Sequence, residues 1–297
     1  MALLAKKVLY INLEEKTYEL KSLTDLYKYI GGVGIGIKLL QEEAQYDPII
    51  FSTGPLNGFF PYASKTSVVL NSDGVIEDIY IGGTLSSRIK FAGLDSVVLR
   101  GRSEEPITIE IIDDVVNFHT PNIDVTTLGL PGKRSTLTWD NKDNSKTDTI
   151  VETGPETNEK KFLLDGYFSA PEKILEKKLL LKNIKGLSIT GNKTIDIKDT
   201  EEYDRLYKLL LGRIKDMWIE PNKYPSCSGC PLGCVASKRG EIGGNIITHS
   251  LVACSFAEGI YSDLGITFAC LNSLGYHYRH EDIQALPKLI DQILRKF

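Results

Sequence analysis

The sequence has no basic block and no long apolar run. The first absence argues against nucleic acid as the main partner, because phosphate backbones are held by clustered Lys and Arg. Here 35 Lys and Arg stand against 39 Asp and Glu, a net charge of -4. The second absence excludes a membrane-spanning helix, which takes about 20 apolar residues. The start, "MALLAKKVLYINLEEK", returns to charge too soon for a signal peptide. Cysteine is scarce and odd in number, five in all, so a secreted disulfide framework is not expected. A soluble protein of the reducing cytoplasm is. Only four histidines occur, and no Ser–His–Asp or Cys–His arrangement can be argued from them.

Three of the five cysteines are crowded into "YPSCSGCPLGC". Cys227, Cys230 and Cys234 have the pattern Cys-x2-Cys-x3-Cys, with Gly229 and Gly233 between them. A short loop of this kind can wrap a [4Fe–4S] cluster, with glycines letting the backbone approach the sulfides. Structural zinc is the alternative, although it usually draws on two separated Cys-x2-Cys pairs. Buried unliganded thiols are the bland reading, and a polar loop argues against it. The Gly-rich "GEIGGNIITHS" leads on to Cys254, the internal candidate for a fourth ligand. Cys270 lies on what reads as a core helix face. His249, His277 and His280 fit surface or helix-end positions better than ligand roles.

The apolar pattern divides the chain near residue 199. The fold class expected is α+β: a two-layer β-rich N-terminal domain over residues 1–199, then a helical cluster-binding domain over 200–297. "VLYINL", "PIIFSTG", "TSVVLNS", "SVVLRG" and "ITIEIID" carry strand chemistry. "LTDLYKYI" and "IGIKLLQEEA" have helical spacing on either side of a glycine-rich turn. Residues 120–147 read as a long connection. A pseudo-repeat relates residues 49–117 to 149–198: "KFAGLDSVVLRGRSEEPITIEI" is echoed by "LLKNIKGLSITGNKTIDIKD". From Thr200 onward, "TEEYDRLYKLLLGRIKDMW", "THSLVACSFAEGI", "SDLGITFACLNSL" and "HEDIQALPKLIDQILRKF" read as helices.

Taken together and in order, "KVLYINLEEKTYEL", "YIGGVGIGIKLLQEEA", "IIFSTGPLNG", "IKFAGLDSVVLRG", "VETGPETNEKKF", "LKNIKGLSITG", "CSGCPLGC" and "DLGITFACLNSLGY" resemble the tungsten-containing aldehyde ferredoxin oxidoreductases. The resemblance implies a β-rich base for a tungsten bis-pterin cofactor and a helical part holding a [4Fe–4S] cluster beside it. It also implies that electrons from aldehyde oxidation leave through the cluster to ferredoxin. Cys227, Cys230 and Cys234 would be cluster ligands. The family takes its fourth cysteine from a region beyond this chain, so Cys254 or an outside donor would replace it.

The departures bear on the pterin. The family's first pterin loop, Gly-Gly-Arg-Gly-Leu-Gly, is "GGVGIG" here, with Gly32 and Gly34 kept and Val33 in place of arginine. Lys65 stands for a second phosphate-binding arginine. "DIYIGG" puts Tyr80, ahead of Gly82, where an asparagine helps hold magnesium. The last glycine loop aligns with "PEKILE", where Glu172 and Glu176 repel phosphate and Ile174 and Leu175 block it. The resulting expectation is an iron–sulfur protein of this family, with an electron-transfer or accessory role and without a working tungstopterin site. Ferredoxin or a redox partner subunit is the implied partner, and self-association is compatible with it. The rival readings are a true oxidoreductase subunit that binds tungstopterin, and a structural zinc or metal-free interaction protein.

Overall fold

The computed structural model describes residues 5–61, 63, 65–81, 84–137, 169–214, 246–251, 261 and 263–297. Strand β1 (Lys6–Asn12) lies next to one edge strand of a six-stranded sheet. Val8 and Tyr10 point to one face and Leu9 and Ile11 to the other, and all four are buried. A strand buried on both faces needs a layer on each side. β2 (Thr17–Leu23) returns antiparallel along one edge of β1. After α1 (Gly32–Glu43) come β3 (Ile49–Ser52), β4 (Thr66–Ser72) and β5 (Val75–Ile81), an antiparallel meander. Helix α2 (Leu85–Phe91) then leads to β6 (Ser96–Arg100), which slots between β1 and β3. The sheet order is β2-β1-β6-β3-β4-β5, with β1 and β6 parallel.

A second sheet has the order β8-β7-β10-β9. It comprises β7 (Ile107–Ile112), β8 (Val115–His119), β9 (Arg134–Leu137) and β10 (Ile184–Thr190), the last following α3 (Ser169–Leu181). The pairing repeats that of β2-β1-β6-β3. A hairpin comes first, then a helix–strand unit docks parallel to the hairpin's first strand and antiparallel to a fourth. So α3–β10 answers α2–β6. The expected repeat is not followed in full: residues 192–198 form no strand, and residues 149–168 lie outside the described residues.

One apolar cluster joins the two sheets through α2 and α3, with Ile89 and Leu179 among its buried members. The base is therefore not two bare β-layers, because helices contribute to the seam. On the other face of the six-stranded sheet lie α1, α4 (Thr200–Ile214), α5 (Ile246–Leu251), α6 (Leu264–Ser273) and α7 (His280–Leu294). Their core includes Val8, Tyr10 and Val98 together with Leu210, Leu251 and Leu286, residues from both sides of position 199. "LTDLYKYI" forms a 3-10 turn (Asp25–Tyr29) rather than a full helix. Within the expected 120–147 connection, β9 forms by pairing with β10. No described helix is long and apolar enough to cross a membrane.

Candidate functional site: a glycine notch filled from within

The "GGVGIG" stretch is not a turn between helices. It is the start of α1 itself, with Gly32, Val33 and Gly34 in its first turn. A helix start leaves its first N–H groups without partners inside the helix, which makes it an anion seat when it is open. Here two of these groups are taken. Gly32 N–H donates to the Thr53 carbonyl at 3.0 Å. Gly34 N–H donates to Ser250 Oγ at 3.1 Å, and that hydroxyl donates in turn to the Ile246 carbonyl at 2.7 Å. Ser250 thereby ties the short helix α5 to the first turn of α1.

The backbone of α5 lies directly on the glycines. A Cβ at Gly32 would fall 2.2 Å from the His249 carbonyl oxygen, and Gly32 also has a left-handed φ of +45°. A Cβ at Gly54 would fall 1.9 Å from the Leu251 carbonyl oxygen. That same oxygen accepts from Leu56 N–H at 3.3 Å. Only glycine permits such approach. The loop is pinned by Asn57, whose side chain accepts from Gly54 N–H and donates to the Lys65 carbonyl, both at 2.8 Å. Lys65 is itself buried.

The wall beside α5 comes from β5. The Tyr80 ring packs against His249 with centroids 4.3 Å apart and the planes tilted by 55°. Its hydroxyl donates to Asp78, which also accepts from Ser67 Oγ at 3.1 Å. Burial pushes the Asp78 carboxyl up to about 7, against the pull of those two donors. His249 is buried, not a surface residue as its position at a helix end implied, whereas His277 and His280 are exposed.

These residues do not fit a cofactor held by its phosphates. Phosphate oxygens need bare N–H groups and cations. Gly32 and Gly54 instead face carbonyl oxygens, which repel anions, and the amides of Gly32 and Gly34 already have acceptors. "PEKILE" lies within α3, where Leu175 is buried in the seam between the sheets. Of the residues expected at this site, the structure brings together Gly32, Gly34, Lys65 and Tyr80. Gly82 lies outside the described residues, as do Cys227, Cys230, Cys234 and Cys254. Cys270 is fully buried on α6, and burial pushes its thiol up to about 12, which suits a core residue and not a ligand. No group of three or more His, Cys, Asp or Glu suited to a metal occurs among the described residues. The sequence reading missed Ser250 and Asp78. Asp78 had a signal, since it shares a strand face with Tyr80 at a spacing of two.

Residues 8–155 match the family described as aldehyde ferredoxin oxidoreductase, N-terminal domain. The tungsten-containing aldehyde ferredoxin oxidoreductase of Pyrococcus furiosus is 29% identical over 228 residues, covering 72% of this chain and 37% of that protein. The aliphatic sulfonate oxidoreductase WOR-like subunit of the same organism is 32% identical over 128 residues, covering 38% of this chain and 20% of that one. Among solved structures, the active-site complex BamBC of benzoyl coenzyme A reductase superposes with a TM-score of 0.53 at 19% identity. That match covers 76% of this chain and 37% of the other, and it speaks to the fold alone. The chain thus spans little more than a third of the length of these relatives.

Proposed function

From a chain that belongs, through its N-terminal portion, to the aldehyde ferredoxin oxidoreductase family, we propose an iron–sulfur protein that passes electrons or serves an accessory role beside a redox partner subunit. In this reading Cys227, Cys230 and Cys234 hold a [4Fe–4S] cluster, and Cys254, just beyond α5, is the internal candidate for the fourth position. Tungstopterin is not part of the protein. The observation that carries this last point is the seating of α5 on Gly32, in the loop where the resemblance puts the pterin. Val33, Lys65 and Tyr80 point the same way.

A second reading has one observation in its favour. A relative is named as a subunit, and the structural neighbour is a complex of more than one chain. Another chain could then complete a tungstopterin pocket, with ferredoxin as the electron acceptor. Metal analysis of anaerobically purified protein separates the readings. Iron and sulfide without tungsten or molybdenum are expected. Stoichiometric tungsten or molybdenum with pterin would replace the first reading by the second. Zinc alone would defeat both. Cys254→Ser should lower iron content; unchanged iron would leave the fourth position to an outside donor.

A further inference from the structure

Lys6 opens β1 and shares the helical face of the sheet with Val8 and Tyr10. Its side chain is buried, and its Nζ has no hydrogen-bond partner among the described residues. The rings of Tyr27, Tyr276 and Tyr278 surround it, with centroids at 5.7, 5.0 and 5.6 Å. Ring faces attract a cation but do not replace a hydrogen-bond acceptor. Next to it, Lys90 Nζ binds Asp95 Oδ1 at 2.9 Å and donates to the Tyr276 hydroxyl at 3.4 Å. The other Asp95 oxygen accepts from Lys7 N–H at 2.9 Å. Asp95 therefore pairs directly with Lys90, and its charge also acts on Lys6, which has no hydrogen-bonded counter-ion of its own among the described residues.

A cavity of about 350 Å³ opens against these side chains. Its charged side chains are Lys6, Lys7, Lys90, Asp95 and Asp196, and Tyr276, Phe59, Leu94 and Leu274 supply aromatic and aliphatic surface. That volume lies at the small end of ordinary ligand pockets, roughly 300–1,000 Å³. We propose that the cavity binds a small organic monoanion, a carboxylate on an apolar body. Three ammonium groups against two carboxylates leave the wall one positive charge in excess, which matches one negative charge, whereas a phosphate dianion would bring a second charge with no counter-ion. Lys6 Nζ is covered as it stands, and a turn of its side chain toward the cavity lets the carboxylate accept from it and from the Tyr276 hydroxyl, whose oxygen already accepts from Lys90. The aromatic and aliphatic wall takes the hydrocarbon part.

Burial pulls the Lys6 amine down to about 8, with Asp95 opposing and Lys90 assisting. An anion prefers the protonated amine, so binding weakens as pH rises through about 8. The other charged or titratable groups around Lys6 are Lys7 and Asp196 on the cavity wall, the three tyrosines, Lys90 and Asp95. Burial lifts the Tyr27, Tyr276 and Tyr278 phenols, Asp95 and Tyr276 raise Lys90 against its burial, and Lys90 and Lys6 lower Asp95 against its own.

Calorimetric titration of the full chain with 3-phenylpropionate tests the site, with 3-phenylpropanol and inorganic phosphate as comparisons. Saturable binding of the carboxylate alone is expected, weaker at pH 9 than at pH 7. Lys6→Met should weaken it by about tenfold or more, the scale of one lost charged hydrogen bond. Ile195→Trp, which narrows the cavity wall while keeping Lys6, should weaken it too and serves if Lys6→Met does not fold. No saturable binding, equal binding of the alcohol, tighter binding of phosphate, or unchanged affinity in either folded variant would overturn the proposal.

Discussion

Replacing Lys6 with methionine should make the protein more stable. Methionine keeps the length and apolar stem of lysine and places a polarizable sulfur among the tyrosine rings. It removes an ammonium that is buried without a hydrogen-bond acceptor among the described residues. The amine's fall from 10.5 to about 8 measures how much the fold disfavours the charged form. At about 1.36 kcal/mol per pKa unit, this corresponds to about 3 kcal/mol, an upper bound on the gain at pH 7. The sign follows from proton binding. Between about 8 and 10.5 the unfolded chain holds the proton that the folded chain has released. Wild-type stability therefore rises with pH across that window, and below it the full penalty applies. The advantage of Lys6→Met should be largest at pH 7 and shrink by pH 10. Urea unfolding of both proteins at the two pH values, without added carboxylate, measures it. A variant less stable than wild type at pH 7, or an advantage independent of pH, would refute the reasoning.

Other outcomes follow from the notch and the core. Ser250→Ala should cost about 1 kcal/mol by leaving Gly34 N–H without its acceptor, and hydrogen exchange at that amide should speed up. Asp78 binds its proton more tightly in the fold than in the unfolded chain, so wild-type stability should fall as pH climbs from about 4 to about 7. Asp78→Asn should flatten that slope in urea midpoints taken at pH 5 and pH 7.5. Cys270 should resist alkylation of the native protein at pH 8, and Cys270→Ser should leave iron content unchanged.

The strands legible in the sequence are those with apolar residues to bury. β1, β3, β4, β6 and β7 have them, and each forms where its pattern indicates. β2 is exposed at every position but its last, which is half-buried, so its strand character comes from pairing with β1. β9 lies in a Thr- and Gly-rich stretch and exists because β10 offers it an edge. Conversely, "TIDIKD" alternates well, yet residues 194–199 form no strand. Alternation states what a segment can bury, while pairing depends on a neighbour that may be a hundred residues away. The same limit applied at the notch. Its glycines read as a turn between helices, whereas they are the seat of α5, whose Ser250 lies 216 positions from Gly34.

The position of β1 between β2 and β6 also sets an order of assembly. β1 meets β2 across a short turn, so this hairpin can close early. Its parallel neighbour β6 begins only at Ser96, after the meander and α2 have been made. Closing so long a loop costs more chain entropy than closing a hairpin, and contacts of that kind slow folding. Until β6 arrives, β1 presents an open edge of unpaired N–H and C=O groups to any other strand. A chain truncated before Ser96 would keep that edge permanently and should self-associate through it.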